Sequence, residues 1–320
     1  MKKKKKKRRL KKKPFIILFI IIFSIVFSIF KIKSIIDTIN YHKTYEYKFI
    51  SLGYTKDEFK DINKLTDESK EYLISIGYDD ELIRILNEKY FIEKNLSKYL
   101  DYRKISNKPN KDIIAIINVG ADNEWYTNVK DADQSKDNLL LVNKFYKLSS
   151  SYNSDNMVNI NNTYCYGENQ KLTKEAYDAF IDMFESAKKE NLTLIINSSF
   201  RSYDEQKEVY DYYEDSKGEE YANKYAAKPG HSEHQTGMAI DIQTYGSTAN
   251  TFEEFDEFKW LQENAYKYGF ILRYPKDKEY ITGYEYESWH YRYVGKEAAK
   301  YIYENNITFD EYYAYFIEKD

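Results

Sequence analysis

Cysteine, proline and histidine are scarce in this 320-residue chain, and each scarcity limits what the protein can be. The single cysteine, Cys165, has no second cysteine to pair with, which excludes an internal disulfide and leaves side-chain packing to stabilise the fold. The chain has only four prolines but many lysine, asparagine, isoleucine and tyrosine residues, which indicates a general bias in its composition. Because such a bias accounts for many of the 35 tyrosines, a lone tyrosine is not interpreted as functional. The four histidines, at positions 42, 231, 234 and 290, are few enough for each to be informative.

The charges are unevenly distributed along the chain. The totals of 49 Lys+Arg and 52 Asp+Glu are nearly balanced, but eleven of the cations lie in the first thirteen residues. From residue 34 onward, 36 cations face 52 acids, a net charge of −16. Binding through nucleic-acid phosphates requires clustered lysine and arginine, so this acidic body predicts no nucleic-acid partner.

An uncharged apolar run, residues 14–30, follows the basic start. As a helix it would be about 26 Å long, slightly short of the roughly 30 Å hydrocarbon core, and Lys31 and Lys33 could reach the headgroups. A cleaved secretory signal or a buried core helix would share much of this pattern. No A-x-A type cleavage site follows Phe30, which favours an uncleaved anchor. The basic residues 1–13 should form a cytoplasmic tail, so we expect a single-pass protein of the cell membrane with residues 34–320 outside.

Residues 31–138 have the charged, helical pattern of an extracellular spacer, although a stalk or partner surface remains an alternative. Gly53 and Gly77 each lie where one helix could end in a left-handed cap and the next begin, at Thr55 or Asp79. Within this region, the apolar stretch 113–119 has a composition that suits a buried strand.

Residues 139–320 show the mixed pattern of an α+β domain. Thr173 can cap a helix whose apolar residues recur at helical spacing, namely Tyr177, Phe180, Ile181 and Phe184. A β-like run at 193–197 follows, and Ser202 and Glu205 form a capping box that should start the next helix. Arg201 therefore lies at a strand-to-helix junction, where ligands can reach a fixed side chain; a surface ion pair is the alternative.

Two of the histidines can converge with an aspartate. Met238, Ile240 and Ile242 alternate with Asp241, which predicts a strand with the apolar side chains in the core and Asp241 facing a cleft. His234 lies seven residues before Asp241, an odd offset that an unbroken strand would send to the other face. Gly237 permits a bulge or turn that brings both side chains to one side.

The third ligand would come from a second strand-like segment, in which His290 alternates with Trp289 and Tyr291. Two imidazoles and one carboxylate are typical of a hydrolytic zinc site, which keeps a fourth position for water. Zinc lowers the pKa of that water to about 7, and Glu287, in the turn before His290, could take its proton. The spacing is not that of an HExxH site. His231 is interpreted as an ordinary hydrogen-bonded histidine.

These motifs together resemble the vancomycin-resistance (VanY) type of D-alanyl-D-alanine carboxypeptidases. The resemblance runs from about residue 139 to residue 320, with Ser288 standing where relatives commonly have proline. The motifs that carry it are Ser232-x-His234-x-x-Gly237-x-Ala239-x-Asp241, Glu287-x-Trp289-His290, Arg292-Tyr-Val-Gly295, Ser199-Phe-Arg-Ser202 with Gln206, Ser232-Glu-His-Gln-Thr-Gly237, and Leu272-Arg-Tyr-Pro275 with Ile281-Thr-Gly283.

The resemblance implies a zinc peptidase domain at 139–320, built on a small antiparallel sheet flanked by helices. It implies Zn²⁺ ligands at His234, Asp241 and His290. By the same resemblance, Glu287 is the acid/base, and Arg201 binds the substrate carboxylate or the developing oxyanion. Ser232 and Gln206 are expected to contact the substrate.

The implied activity is the removal of the C-terminal D-alanine from peptidoglycan stem peptides, which fits a domain held outside the membrane. An L,D-carboxypeptidase, a dipeptidase acting on free D-Ala-D-Ala, and a module that binds wall peptide without cleaving it remain alternatives. The presence of Glu287 and Arg201 beside the ligands speaks against mere binding, because binding requires no base.

Overall fold

The computed structural model describes residues 12–154 and 156–318, which form two compact units divided between Leu96 and Ser97. The predicted cytoplasmic tail, 1–13, lies outside the described residues except for its last two. The predicted spacer, 31–138, spans the division, because residues 97–138 lie in the second unit.

The first unit consists of short helices after one long helix. Its elements are α1 (Lys12–His42), α2 (Tyr45–Leu52), α3 (Lys56–Ile62), α4 (Asp67–Ile76), α5 (Leu82–Leu86) and a 3-10 helix, Glu93–Asn95. Gly53 and Gly77 follow α2 and α4 with positive φ, but neither adopts the left-handed helical conformation that was predicted. Helix α3 begins after Thr55, as predicted, and Thr55 caps it with a complete capping box. The helix expected at Asp79 begins at Leu82 instead, because the Asp79 carboxylate accepts the Glu81 N–H in a turn.

Helix α1 carries the apolar run. Its segment Ile17–His42 contains an 18-residue window with a mean hydropathy of 2.3 and is long and apolar enough to cross a bilayer. Most of its large apolar side chains are exposed, which distinguishes it from a buried core helix. A signal sequence meets the same criterion of length and composition.

The second unit contains helices and, among the described residues, three small sheets. They are α6 (Leu96–Ile105), α7 (Asn110–Val119), α8 (Lys174–Lys189), α9 (Tyr203–Lys217), α10 (Glu219–Tyr225), α11 (Asp256–Asn264), α12 (Glu279–Thr282), α13 (Lys296–Asn305) and α14 (Phe309–Phe316). The strands are β1 (Lys130–Asp131), β2 (Tyr146–Lys147), β3 (Met157–Asn159), β4 (Lys171–Thr173), β5 (Ile195–Ser198), β6 (Ala239–Gln243), β7 (Phe270–Leu272) and β8 (His290–Tyr293).

The prediction of a strand at 113–119 was wrong, because this stretch forms α7. Five consecutive residues of α7, 113–117, are buried. Such a run has no polar positions to reveal a period, so its composition fits a buried strand or a buried helix equally well. The helix ends at Gly120 in the left-handed conformation and packs against α12 and α14.

The largest sheet is antiparallel, with strand order β5-β6-β8-β7, and helices flank it, as the resemblance implied. One face forms the core, where Ile196, Ile240 and Tyr291 belong to the same apolar cluster as the buried face of α8. Phe180 and Phe184 lie on that face of α8, as the spacing predicted. The opposite face carries Asp241 and His290, since side chains alternate along a strand.

A sharp turn before β6 brings His234 to this second face. His234 lies in a 3-10 helix, Glu233–Thr236, which ends at Gly237 with φ 69. The left-handed backbone conformation at this position favours glycine, and a Cβ atom here would also require the flexible Met157 side chain, whose sulfur would be 2.6 Å away, to move. The predicted break at Gly237 is thereby confirmed.

Candidate metal centre and active site

The site is built on the register of three neighbouring strands. Asp241 of β6 lies opposite His290 of β8 on one side and opposite Ser198 of β5 on the other. Antiparallel partners are close enough for their side chains to meet, so this register alone brings the carboxylate and the imidazole together.

The three predicted ligands converge. His234 Nε2 is 3.4 Å from Asp241 Oδ2, and His290 Nδ1 is 3.1 Å from Asp241 Oδ1. One donor atom from each residue lies within 4.8 Å of the other two. Ligand atoms about 2.1 Å from a tetrahedral zinc ion are roughly 3.4 Å apart, so the spacing and the two-nitrogen, one-oxygen donor set both fit zinc.

The hydrogen bond of the His234 ring selects its tautomer. His234 Nδ1 lies 2.6 Å from the carbonyl oxygen of Ser199. A carbonyl oxygen can only accept, so Nδ1 donates and the Nε2 lone pair is directed toward Asp241. The imidazole is therefore oriented to bind a metal through Nε2.

Burial and mutual attraction shift the pKa values of the site. Although burial opposes ionisation, His234 and His290 hold the pKa of Asp241 well below its usual range. Burial lowers the pKa of His234, which keeps its imidazole neutral. Burial raises the pKa of Glu287 to about 7, against the attraction of His290. Burial would lower the pKa of His290 as well, but hydrogen bonds to Asp241 and Glu233 raise it to about 9.

Glu287 and Arg201 flank the three ligands. Glu287 Oε2 is 3.7 Å from His290 Nδ1, and Ser288 lies in the turn between Glu287 and β8. Arg201 lies between β5 and α9, at the junction that the sequence predicted. Its guanidinium donates to Gln206 Oε1 at 2.8 Å and to Ser198 Oγ at 3.0 Å, which fixes its direction.

One cleft of 230 Å³ is lined by all seven predicted site residues. They are Arg201, Gln206, Ser232, His234, Asp241, Glu287 and His290. The Gln206 amide also donates to the Ala227 carbonyl at 2.8 Å, so both ends of its side chain are engaged. His231 does not line the cleft, since it is buried elsewhere and its Nδ1 donates to the Asn143 carbonyl at 2.7 Å.

One acidic residue beside the ligands was not predicted from the sequence. Glu233 lines the cleft but has a fully buried side chain, and its Oε1 accepts from Arg273 Nε at 2.8 Å. Arg292 Nη1 lies 3.2 Å from the same oxygen. Despite burial, these two arginines hold the pKa of Glu233 below its usual range. In a chain with 52 acids, position 233 carries no signal by itself, because its partners are 40 and 59 residues away.

The fold and the cleft agree with comparisons to known proteins. A family model described as VanY, D-alanyl-D-alanine carboxypeptidase, matches residues 169–296. A Bacillus subtilis (strain 168) protein named as a carboxypeptidase, YodJ, is 46% identical over 207 residues, 60% of this chain and 75% of that protein. A D-alanyl-D-alanine carboxypeptidase of Enterococcus faecium is 32% identical over 257 residues, 78% of this chain and 77% of the relative. The chain belongs to the VanY family of D-alanyl-D-alanine carboxypeptidases.

Among solved structures, the VanY-family chain is similar to the LdcB LD-carboxypeptidase, with 44% sequence identity and a TM-score of 0.55. The likeness covers 59% of this chain and 91% of that one. The resemblance to the VanY family and the predicted fold class are both confirmed. Membership of this family identifies the protein as a peptidase with a function in the cell wall.

The geometry predicts that His234, but not His231, is required for metal binding. His234→Ala removes one of three converging donors and should abolish stoichiometric binding of Zn²⁺ to the full chain in detergent. His231→Ala is the matched control, because it also removes a buried imidazole but leaves the ligands in place. Metal content after gel filtration measures both. Full zinc occupancy in His234→Ala would show that the ligand set is wrong.

Proposed function

We propose that this protein is a zinc-dependent D,D-carboxypeptidase that removes the C-terminal D-alanine from peptidoglycan stem peptides. The observation that carries the proposal is the convergence of His234, Asp241 and His290 beside Glu287 in one cleft. Three protein ligands leave one position of a tetrahedral metal free, as hydrolysis requires.

The proposed metal and Glu287 have separate roles in hydrolysis. Zinc held by His234, Asp241 and His290 would act as a Lewis acid on the scissile carbonyl and lower the pKa of the attacking water. The Glu287 carboxylate lies beside the ligand atoms, where it takes a proton from that water and returns it to the leaving amine. A carboxylate serves both steps because the proton it takes is the proton the amine needs.

Arg201 and its neighbours receive the substrate. Its guanidinium can bind the terminal carboxylate or the oxyanion that develops as water attacks. Gln206 contributes by holding Arg201 in place as well as by lining the cleft. Ser232 also lines the cleft, and its hydroxyl has no protein partner among the described residues, so it can donate to a substrate carbonyl.

A second candidate is the L,D-carboxypeptidase reaction, favoured by the 44% identity to LdcB. The two cuts differ in the residue that precedes the scissile bond, whereas the ligands and the base serve either one. The choice therefore depends on the walls of the cleft, which include Tyr274, Tyr284 and Trp289.

Defined substrates separate these activities. The full chain in detergent with Zn²⁺ should release one alanine from a stem pentapeptide and leave the tetrapeptide intact, as mass spectrometry of the products would show. Loss of alanine from the tetrapeptide alone would establish the L,D cut, and hydrolysis of free D-Ala-D-Ala alone would establish a dipeptidase. No hydrolysis by the zinc-loaded chain would leave only a binding role.

The general-base role of Glu287 predicts a selective loss of rate. Glu287→Gln preserves the size of the side chain but cannot take a proton, so kcat should fall at least about 100-fold while zinc content stays stoichiometric. Glu285→Gln is the control, because Glu285 lies two residues earlier and does not line the cleft. Wild-type turnover by Glu287→Gln would remove Glu287 from the mechanism.

We further propose that α1 is an uncleaved anchor that holds residues 34–320 outside the cell membrane, where stem peptides are found, with part of 31–138 as a spacer. The basic start and the apolar helix support this orientation. Protease added to cells stripped of their wall should then digest residues 34–320 and spare an epitope at the N-terminus. Protection of the whole chain until detergent is added would contradict the orientation.

A further inference from the structure

Behind the proposed zinc ligands lies a group of buried charges that the reaction itself does not use. Glu233, Arg273 and Arg292 have side chains with 0% exposure. Arg273 also forms an ion pair with Asp310 of α14, at 2.6 Å. Burying an ion costs several kcal/mol, so such a group is retained only where its charges are paired.

The second carboxylate oxygen of Glu233 faces a ligand histidine. Oε1 forms ion pairs with the two arginines, whereas Oε2 lies 3.5 Å from His290 Nε2. Both Oε2 and Nε2 are buried, and neither has a hydrogen-bond partner among the described residues that satisfies strict distance and angle criteria. The two atoms therefore have only each other to satisfy them.

We propose that Glu233 is a positioning residue: its carboxylate holds the Nε2–H of His290 and so directs the Nδ1 lone pair to the metal position. The inference rests on the proposed zinc ligation. A carboxylate paired with two arginines can only accept, so Nε2 has to carry the hydrogen. In a neutral imidazole the lone pair then lies on Nδ1, the atom that faces Asp241 at 3.1 Å. Carboxylates that orient metal-binding histidines in this way typically change metal affinity by 10- to 100-fold.

The replacement Glu233→Gln reverses this selection. The amide oxygen of glutamine has to face the arginines, because guanidinium groups only donate. The amide NH₂ then faces His290 Nε2. Its hydrogen bond can be accepted only if Nε2 carries a lone pair instead of a hydrogen. The ring hydrogen moves to Nδ1, where it opposes metal binding.

Asp310→Asn is the matched control. Asp310 is also buried and contacts the same arginine, with Nη1 of Arg273 2.6 Å from its carboxylate. The substitution changes a carboxylate to an amide in the same charge group but leaves the contact between Glu233 and His290 in place. Both variants should lower the thermal unfolding midpoint of the metal-free chain, since both disturb a buried ion pair.

The test measures zinc affinity of the full chain in detergent by competition with a chelator. Glu233→Gln should weaken zinc binding by about 10- to 100-fold, and Asp310→Asn should leave it within about threefold of wild type. Equal affinities in the two variants would overturn the proposal. If the wild type itself bound no zinc, the proposed ligand set would fail first, which separates that failure from this one.

A measurement on the wild type decides the question even if Glu233→Gln does not fold. The chain has only four histidines, so ¹⁵N-histidine labelling yields few ring signals. With zinc bound, His290 should show a metal-bound Nδ1 and a protonated Nε2. A metal-bound Nε2 on His290 would overturn the proposal.

Discussion

The pairing of β6 with β8 places Asp241 opposite His290, and the candidate site depends on this register. Because side chains alternate along a strand, a slip of one residue would turn one of these side chains into the core. The core itself prevents the slip, since Ile240 and Tyr291 pair one position further along and are fully buried on the other face. Apolar packing on one face of a small sheet therefore determines the geometry of charged groups on the other.

Stability alone does not account for the buried charges on the second face. Arg273, Arg292 and Glu233 are shielded from water, and a well-packed apolar group of similar volume is often as stable as a buried ion pair or more so. Charged side chains, however, have directional hydrogen bonds that apolar ones lack. Within this group, Arg273 contacts both Glu233, which lies behind His290, and Asp310 of α14.

Family membership and the cleft agree on peptide-bond hydrolysis, but they carry different information about the substrate. The residues that would perform hydrolysis lie on the sheet and in the turns next to it, where backbone hydrogen bonds hold them. The residues that would distinguish one stem peptide from another lie on the walls, among them Tyr225 from the end of α10 and Tyr284 from the loop after α12. Walls built from loops can change while the floor stays the same, which explains how relatives named for different cuts share one fold.

Local sequence patterns were sufficient to predict the features that depend on residues close together in the chain. Alternation around Asp241, the capping box at Ser202 and the positive-φ turn at Gly237 each depend on neighbours within a few residues, and each was predicted correctly. Other features depend on contacts that only the folded chain makes. Residues 113–117 form a helix that packs against α12 and α14, and an apolar run without a period does not reveal this. Glu233 is significant only because Arg273 and Arg292, distant in sequence, enclose it. From sequence alone, a glutamate is expected to be a surface charge. Only the tertiary structure shows that Glu233 is buried and enclosed by cations.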